Sequence, residues 1–399
     1  MKLFHGFKLN NIRNDFFGGL TAAVVALPLA LAFGIASGLG PLAGLYGAII
    51  VGFFASLFGG TPCQISGPTG PMTVFVASIF LYFDKNVEIV FFIISLSGLI
   101  QIFFGLSRLG EYVKKIPDSV ITGFMTGIGI IIISLQIPVI LGLGSEGTVT
   151  SSLLKLQNIF DFKIDSLIVG LIGLFVVIFF PKKIDLYCPR PLIALFLGTL
   201  LTSLYFTNQE LIGTIPTGIP YISIYIPTLE ELPEIIYFSV LLALLGVIDS
   251  LLTSLVADDM TNTKHMPNKE VIGQGIGNMF SGFFGGLAGA GATMRTVVNI
   301  QCGGTTPFSG LIHSFVLILI LGIFSDYALL IPLAVLAAIL LKIGFDIIDF
   351  KFFLEMNSKS KIDIFTVLTV ILLIVFINLI VAIFIGTIMF HVYKKYFNK

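Results

Sequence analysis

The chain has 399 residues, 56% of them hydrophobic and only 11% charged, with 22 acidic and 22 basic side chains. Its mean hydropathy of +1.04 excludes a soluble globule, because no core of this length absorbs so much apolar surface behind a polar exterior. A net charge of zero, with no basic patch interleaved with aromatic residues, excludes a nucleic-acid partner and leaves the lipid bilayer as the solvent.

Apolar stretches of about 20 residues recur from Phe16 to the C-terminus, and no run of alternating ten-residue strands points to a barrel. The fold class is therefore an all-α polytopic membrane protein. Fourteen transmembrane segments are predicted, starting near residues 16, 41, 68, 87, 117, 165, 191, 232, 270, 292, 306, 327, 363 and 379. The third and tenth are too short to cross as ordinary helices. The leading MKLFHGFKLNNIRND, residues 1–15, is too long and polar for a signal peptide and has no small-residue cleavage site after its apolar run. With this terminus in the cytoplasm, 18 basic residues fall inside, only Lys85, Lys155 and Lys163 fall outside, and Arg295 falls within the membrane. That asymmetry predicts both termini in the cytoplasm. The Ile, Phe, Lys and Asn usage fits a bacterial inner membrane.

FASLFGG (54–60) closes the second segment and returns as FSGFFGG (280–286) in the ninth. Each copy precedes a helix-breaking stretch, CQISGPTGP (63–71) or GGLAGAGAT (285–293), and then a short apolar segment, PMTVFV (71–76) or TMRTVV (293–298). A repeat unit of seven segments, an odd number, enters the membrane from the opposite face in its second copy, so the predicted architecture is a 7+7 inverted repeat. Glycine and proline at this density break the helix, leaving backbone that must line protein or water, so segments 3 and 10 read as half-helices starting near the midplane. Their N-termini carry unpaired N–H groups and about half a positive charge each, a ready site for an anion.

The eighth segment carries Asp249, nine residues before the polar run opening at Asp258. Nine residues rise about 13.5 Å, which sets Asp249 near the midplane. An ionised side chain there costs about 2.5 to 3.5 kcal/mol and marks an ion or substrate path. Thr253 shares its face, four residues on. With Thr69 and the unwound carbonyls from Ala290 to Thr293, these are hard oxygen ligands suited to a small cation. The alternative for each threonine is a helix-to-helix hydrogen bond.

In the tenth segment Arg295 falls in the first turn of the second half-helix. At about 4 Å and an effective dielectric near 20, its charge attracts a monovalent anion by about 4 kcal/mol before desolvation. The alternative is a structural ion pair with Asp249. His313, in the eleventh segment, reads as a satisfied packing histidine rather than a proton relay. The glycines at 273–277 and 289–291 lack the surroundings of a dinucleotide site and read as packing positions or breaks. Phe-rich faces read as lipid-facing bulk. In the absence of tryptophan, Tyr46, Tyr82, Tyr112, Tyr187, Tyr327 and Tyr393 are the expected interface anchors. Cys63, Cys188 and Cys302 form no CxxC pair and read as buried thiols. An intramembrane enzyme is disfavoured: there is one membrane carboxylate where an aspartyl protease needs two, no HExxH, and Ser309 with His313 on one helix is no nucleophile-and-base geometry.

The stretches ISGPTGPMTV (65–74), IDSLLTSLVADDMT (248–261), NKEVIGQGIGN (268–278) and GAGATMRTVVN (289–299), with the opening NDFFGGLTAAVVALPLALAFGIASGLGP (14–41), resemble the SulP sulfate-permease family of anion transporters. They are most similar to its sodium-dependent bicarbonate branch. The resemblance covers essentially the whole chain. It implies a core domain from residues 16–110 (segments 1 to 4) and 231–325 (segments 8 to 11). A gate domain follows from 111–230 (segments 5 to 7) and 326–399 (segments 12 to 14, with a short cytoplasmic tail). By resemblance, Na⁺ is the coupling ion at Asp249, Thr253 and Thr69, with backbone at Ala290 and Ala292. The anion, bicarbonate or sulfate, lies between the two half-helices at Gly70, Met72, Thr73, Thr293, Met294 and Arg295. A homodimer is the expected assembly. Nucleobase symporters share the fold, but their glutamates on segments 8 and 10 have no counterpart here. Family members usually carry a cytoplasmic STAS domain after the last span, whereas this sequence stops at HVYKKYFNK.

Three functions are consistent with these residues. The first is Na⁺-coupled bicarbonate symport by alternating access, with no enzymatic cofactor. The second is proton-coupled symport of sulfate or a dicarboxylate, with Asp249 as the protonated group, and the third a passive anion channel.

Overall fold

The computed structural model describes residues 5–6, 11–111, 117–144, 149–181, 189–206, 209–211, 225–328, 330–376 and 379–397. Lys2, Lys8, Lys114, Lys115, Lys182, Lys183 and Lys399 of the topology argument lie outside these, as do Tyr112, Tyr187, Cys188 and the side chain of Tyr327.

Among the described residues the chain forms sixteen α-helices and one two-stranded antiparallel sheet. The first half contains α1 (Ile12–Ala36), α2 (Pro41–Phe58), β1 (Ser66–Gly67), α3 (Gly70–Tyr82), α4 (Val87–Leu106), α5 (Asp118–Ile140), α6 (Val149–Lys155), α7 (Ile164–Phe179) and α8 (Arg190–Leu204). The second contains α9 (Leu232–Thr261), α10 (Pro267–Phe283), β2 (Ala290–Gly291), α11 (Thr293–Gln301), α12 (Pro307–Ala328), α13 (Leu333–Ile347), α14 (Phe350–Leu354), α15 (Lys361–Phe376) and α16 (Leu379–Phe397). A helix begins within six residues of every predicted segment start. The short α6 and α14 have no predicted counterpart, being too brief to register as apolar windows. Five described helices, α1, α2, α4, α5 and α9, are by themselves long and apolar enough to cross a bilayer.

Proline sets many of the starts, since its missing N–H costs nothing in a first turn: Pro41 opens α2, Pro267 opens α10 and Pro307 opens α12. The Asn86 side chain caps α4 by accepting from the N–H groups of Glu88 and Ile89. Asn262, with φ of 51°, ends the 30-residue α9 in the left-handed region. In contrast α3 has 13 residues and α11 only nine, about 13.5 Å of rise for the latter.

Two packing groups emerge. In one, α10 is sandwiched between α2 and α4, α1 packs on α2, α11 and α12, and α9 packs on α4. Glycine permits the closest approaches: a Cβ on Gly98 of α4 would lie 2.2 Å from the Met279 nitrogen of α10. One on Gly273 of α10 would lie 2.5 Å from the Gly59 nitrogen. In the other group α13 packs on α5 and α7, α15 on α5 and α16, and α7 on α8.

The two repeated heptapeptides occupy matching places, each closing a helix that a strand and a new helix follow: α2, β1, α3 and α10, β2, α11. Their first phenylalanines, Phe54 and Phe280, stack on each other at 4.5 Å. Phe58 stacks on Phe54 and Phe284 on Phe280, both at 6.3 Å, so the four rings read as a two-fold arrangement. Phe103, Phe179 and Phe196 point outward, each more than 60% exposed, as helices solvated by lipid require. Tyr82 and Tyr393 are accessible, but Tyr46 is buried against the helix core and is no interface anchor. Cys63 is a buried free thiol and Cys302 a half-buried one.

Candidate functional site

β1 and β2 pair antiparallel, Ser66 opposite Gly291 and Gly67 opposite Ala290, so α3 and α11 start on either side of one short sheet. Both starts dock on one face of α9. The Thr69 hydroxyl, immediately before α3, donates to Asp249 Oδ2 at 2.6 Å. One turn further along α9, Thr253 Oγ1 donates to the Gly291 carbonyl at 2.9 Å and lies 2.7 Å from the Thr293 hydroxyl. Ser250 Oγ, on the same face, accepts from the Gly291 N–H. The sequence reading thus named both anchors on α9, and the helical spacing of four residues explains why they face the same loops.

Arg295 is 2% exposed. Its Nη2 donates to the Pro68 carbonyl at 2.8 Å, while Nη1 has no hydrogen-bond partner. The guanidinium makes no direct ion pair with Asp249. Pro68 and Thr69 intervene, one accepting from the cation and the next donating to the carboxylate, so both charges are held by adjacent residues of a single extended segment. A buried guanidinium with a free N–H costs several kcal/mol unless another acceptor meets it. At the start of α3 a recess of about 10 Å³, room for about one water, is walled in part by Gly70 and Thr73. The Thr73 hydroxyl is buried and unpartnered. The first-turn N–H groups of α3 and α11 add unpaired donors at both helix starts.

Among the described residues no cluster of three or more His, Cys, Asp or Glu side chains could hold a metal ion. A cation beside Asp249 would meet one carboxylate together with hydroxyl and carbonyl oxygens. That is the donor set of a hard alkali ion, not of a transition metal.

Three placements differ from the sequence reading. The carbonyl facing Thr253 belongs to Gly291, whereas that of Ala292 accepts from Thr296 as the first acceptor of α11 and Ala290 sits opposite Gly67 in the sheet. Met72 is fully buried but Met294 is 47% exposed, so only one of the pair is packed into the protein. His313 is fully buried with neither ring nitrogen hydrogen-bonded, so it is not a satisfied packing histidine. Its Nδ1 lies against the bare backbone of Gly52 on α2.

Two buried carboxylates escaped the sequence reading. Glu270 accepts from the N–H groups of Gly60 and Thr61 through Oε2, and from the side-chain amides of Gln64 and Gln274 through Oε1. Asp15 accepts from the N–H groups of Thr305 and Thr306 and from the Thr306 hydroxyl, just ahead of α12. Both sit at the edge of polar runs, where a charge draws no notice in sequence. Asn278 likewise clamps Gly289, donating to its carbonyl and accepting from its N–H. Gln64, Asn278 and Ser250 therefore fix the broken segments; each lies inside a stretch that the sequence reading quoted, but none was singled out there.

Comparison with known proteins gives a consistent result. The model of the sulfate permease family matches residues 12–370. A bicarbonate transporter, BicA, of Picosynechococcus is 45% identical over 97% of this chain and 70% of its own length. A putative sulfate transporter, YvdB, of Bacillus subtilis is 34% identical over 98% of this chain and 75% of its own. Among solved structures, the transmembrane domain of a cyanobacterial BicA superposes with a TM-score of 0.89 at 45% identity, covering 96% of this chain and all of that one. The structure of SLC26A9 shares the fold alone, with a TM-score of 0.88 at 20% identity over 98% of this chain and 67% of that one.

Proposed function

The chain belongs to the sulfate permease family of membrane anion transporters, and on that premise we propose that it is a Na⁺-coupled bicarbonate symporter. One observation carries the reading: the two helix starts dock through Thr69 and Thr293 on the Asp249–Thr253 face of α9, with an unpartnered Arg295 nitrogen beside the same loop. Na⁺ binds at Asp249, Thr253 and Thr69 with the Gly291 carbonyl, flanked by the backbone of Ala290 and Ala292 that the sequence pointed to. The anion binds between the starts of α3 and α11, at Gly70, Met72, Thr73, Thr293, Met294 and Arg295.

Fourteen spans form a 7+7 inverted repeat, with α3 and α11 as half-helices; the ring stack of Phe58, Phe54, Phe280 and Phe284 supports the two-fold relation. The packing groups support a core of 16–110 and 231–325 moving against a gate of 111–230 and 326–399. Bound Na⁺ neutralises Asp249, and a bicarbonate beside Arg295 makes the loaded site one cation and one anion richer. Such a cycle moves no net charge, whereas one Na⁺ with one sulfate would move a negative charge against the potential at about 2.3 kcal/mol per 100 mV. The identity to a named bicarbonate transporter favours the same choice. Proton-coupled sulfate uptake is the second reading, favoured by the relative named a putative sulfate transporter.

The test is bicarbonate-dependent uptake of labelled Na⁺ by proteoliposomes, wild type against Asp249→Asn. Bicarbonate should accelerate Na⁺ entry in the wild type, and the asparagine variant should lose at least about tenfold, the value of one charge-assisted contact. Equal Na⁺ entry in both proteins would remove Asp249 from the cation site.

A further inference from the structure

A cavity of about 320 Å³ lies between α1, α3, α5 and α13 and touches neither Asp249 nor Arg295. Its polar lining is sparse: Ser37 at the end of α1, Lys85 in the turn between α3 and α4, and Gln136 on α5. The recess at Gly70 and Thr73 shares Ala36, Leu135, Gln136 and Leu340 with it, so the two spaces meet across one wall. Gln136 is the polar residue of that wall. It is only 7% exposed, yet its amide has no hydrogen-bond partner among the described residues. Thr73, beyond it, is likewise buried and unpartnered. The Lys85 side chain, at the opposite end, is exposed and makes no ion pair with a described residue.

We infer that this cavity is an antechamber for the transported anion, with Lys85 attracting it at the mouth and the Gln136 amide receiving it before it reaches Gly70 and Thr73. The inference rests on the transporter reading above. The chemistry is that of a small oxyanion. A lone ammonium raises the local anion concentration over a distance set by ionic strength. A buried amide then replaces part of the lost hydration, since an uncharged donor can bind and release an anion without trapping it. The wall is otherwise apolar and the Ser37 hydroxyl is spent on the Gly34 carbonyl, so an anion crossing it without Gln136 would meet no free side-chain donor between Lys85 and Thr73. Lys85 lies on the side that the distribution of basic residues assigns to the exterior, so the antechamber faces outward.

The experiment measures uptake of labelled bicarbonate from the outer side into proteoliposomes for the wild type, Gln136→Leu, Gln136→Asn and Lys85→Glu. Gln136→Leu should raise the KM for bicarbonate about tenfold with Vmax retained, and Gln136→Asn should recover part of that loss. Lys85→Glu should raise KM several-fold at low ionic strength, with the difference shrinking as salt is added. In parallel, Gln136→Cys in a background with Cys63, Cys188 and Cys302 replaced by serine should react with a membrane-impermeant thiol reagent from outside, more slowly in saturating bicarbonate. Unchanged KM in every variant, or a thiol of the Gln136→Cys variant that the reagent does not reach, would overturn the antechamber while transport itself persists. A wild type that transports neither bicarbonate nor sulfate would overturn the transporter reading instead.

Discussion

Arg295 spends one guanidinium nitrogen on the Pro68 carbonyl and leaves another unmatched in a fully buried setting. In the proposed symporter that arrangement gives it two tasks, fixing the loop before α3 through Pro68 and offering the unmatched donor to the anion. Lysine can supply a charge but not both directed N–H groups. Arg295→Lys should therefore raise the KM for the anion by about tenfold or more while leaving Na⁺ affinity within about twofold; measurement of both constants in proteoliposomes checks this. Equal losses in both would mean that the residue only holds the fold. The sequence announced Asp249 and Arg295 because charge in an apolar span has no other excuse. It did not announce Glu270 or Asp15, whose neighbours in sequence are polar and whose partners lie about 200 to 290 residues away. Nor could it choose among the carbonyls from Ala290 to Thr293, because which one faces Thr253 depends on the pairing of β1 with β2.

At the scale of elements, the breaks before α3 and α11 are held by side chains of helices distant in sequence. Glu270 is the clearest: one carboxylate on α10 accepts four hydrogen bonds from the segment after α2 and from Gln274. Glu270→Gln keeps the shape but turns an NH₂ toward two donors, so it should destabilise the protein by about 2 to 3 kcal/mol. A lowered thermal midpoint in detergent, with no change in Na⁺ selectivity of the residual transport, is the expected result. Packing makes a second prediction. Gly98 lets α4 and α10 touch through their backbones, and Gly98→Val should cost at least about 1 to 3 kcal/mol by forcing them apart; a midpoint equal to wild type would contradict that packing. The repeated FASLFGG and FSGFFGG were legible as repeats, and the helix breaks after them were legible from glycine and proline density. The lengths of α6 and α14, the exit of α9 at Asn262 and the stacking of Phe54 on Phe280 were not, since each is decided by contacts that no local window contains.

For the whole molecule, composition alone led to a polytopic helical protein, and every predicted segment start has a helix near it. What composition cannot order is which helices meet, because in lipid the apolar faces are alike and small residues and polar contacts choose the partners. The structure resolves that choice into two packing groups, with the candidate site at the sheet between α3 and α11 and a cavity on the boundary with α5 and α13. Movement of one group past the other would carry Thr69, Asp249, Thr253 and Arg295 together, since the starts of α3 and α11 are both held on α9, which is the mechanical content of the proposed symport. The most direct test of that account is uptake of labelled bicarbonate and labelled sulfate into proteoliposomes under an inward Na⁺ gradient, against a matched choline gradient at the same pH. The account predicts saturable bicarbonate uptake that collapses in choline. Sulfate uptake indifferent to Na⁺ and driven by an acidic exterior would contradict it.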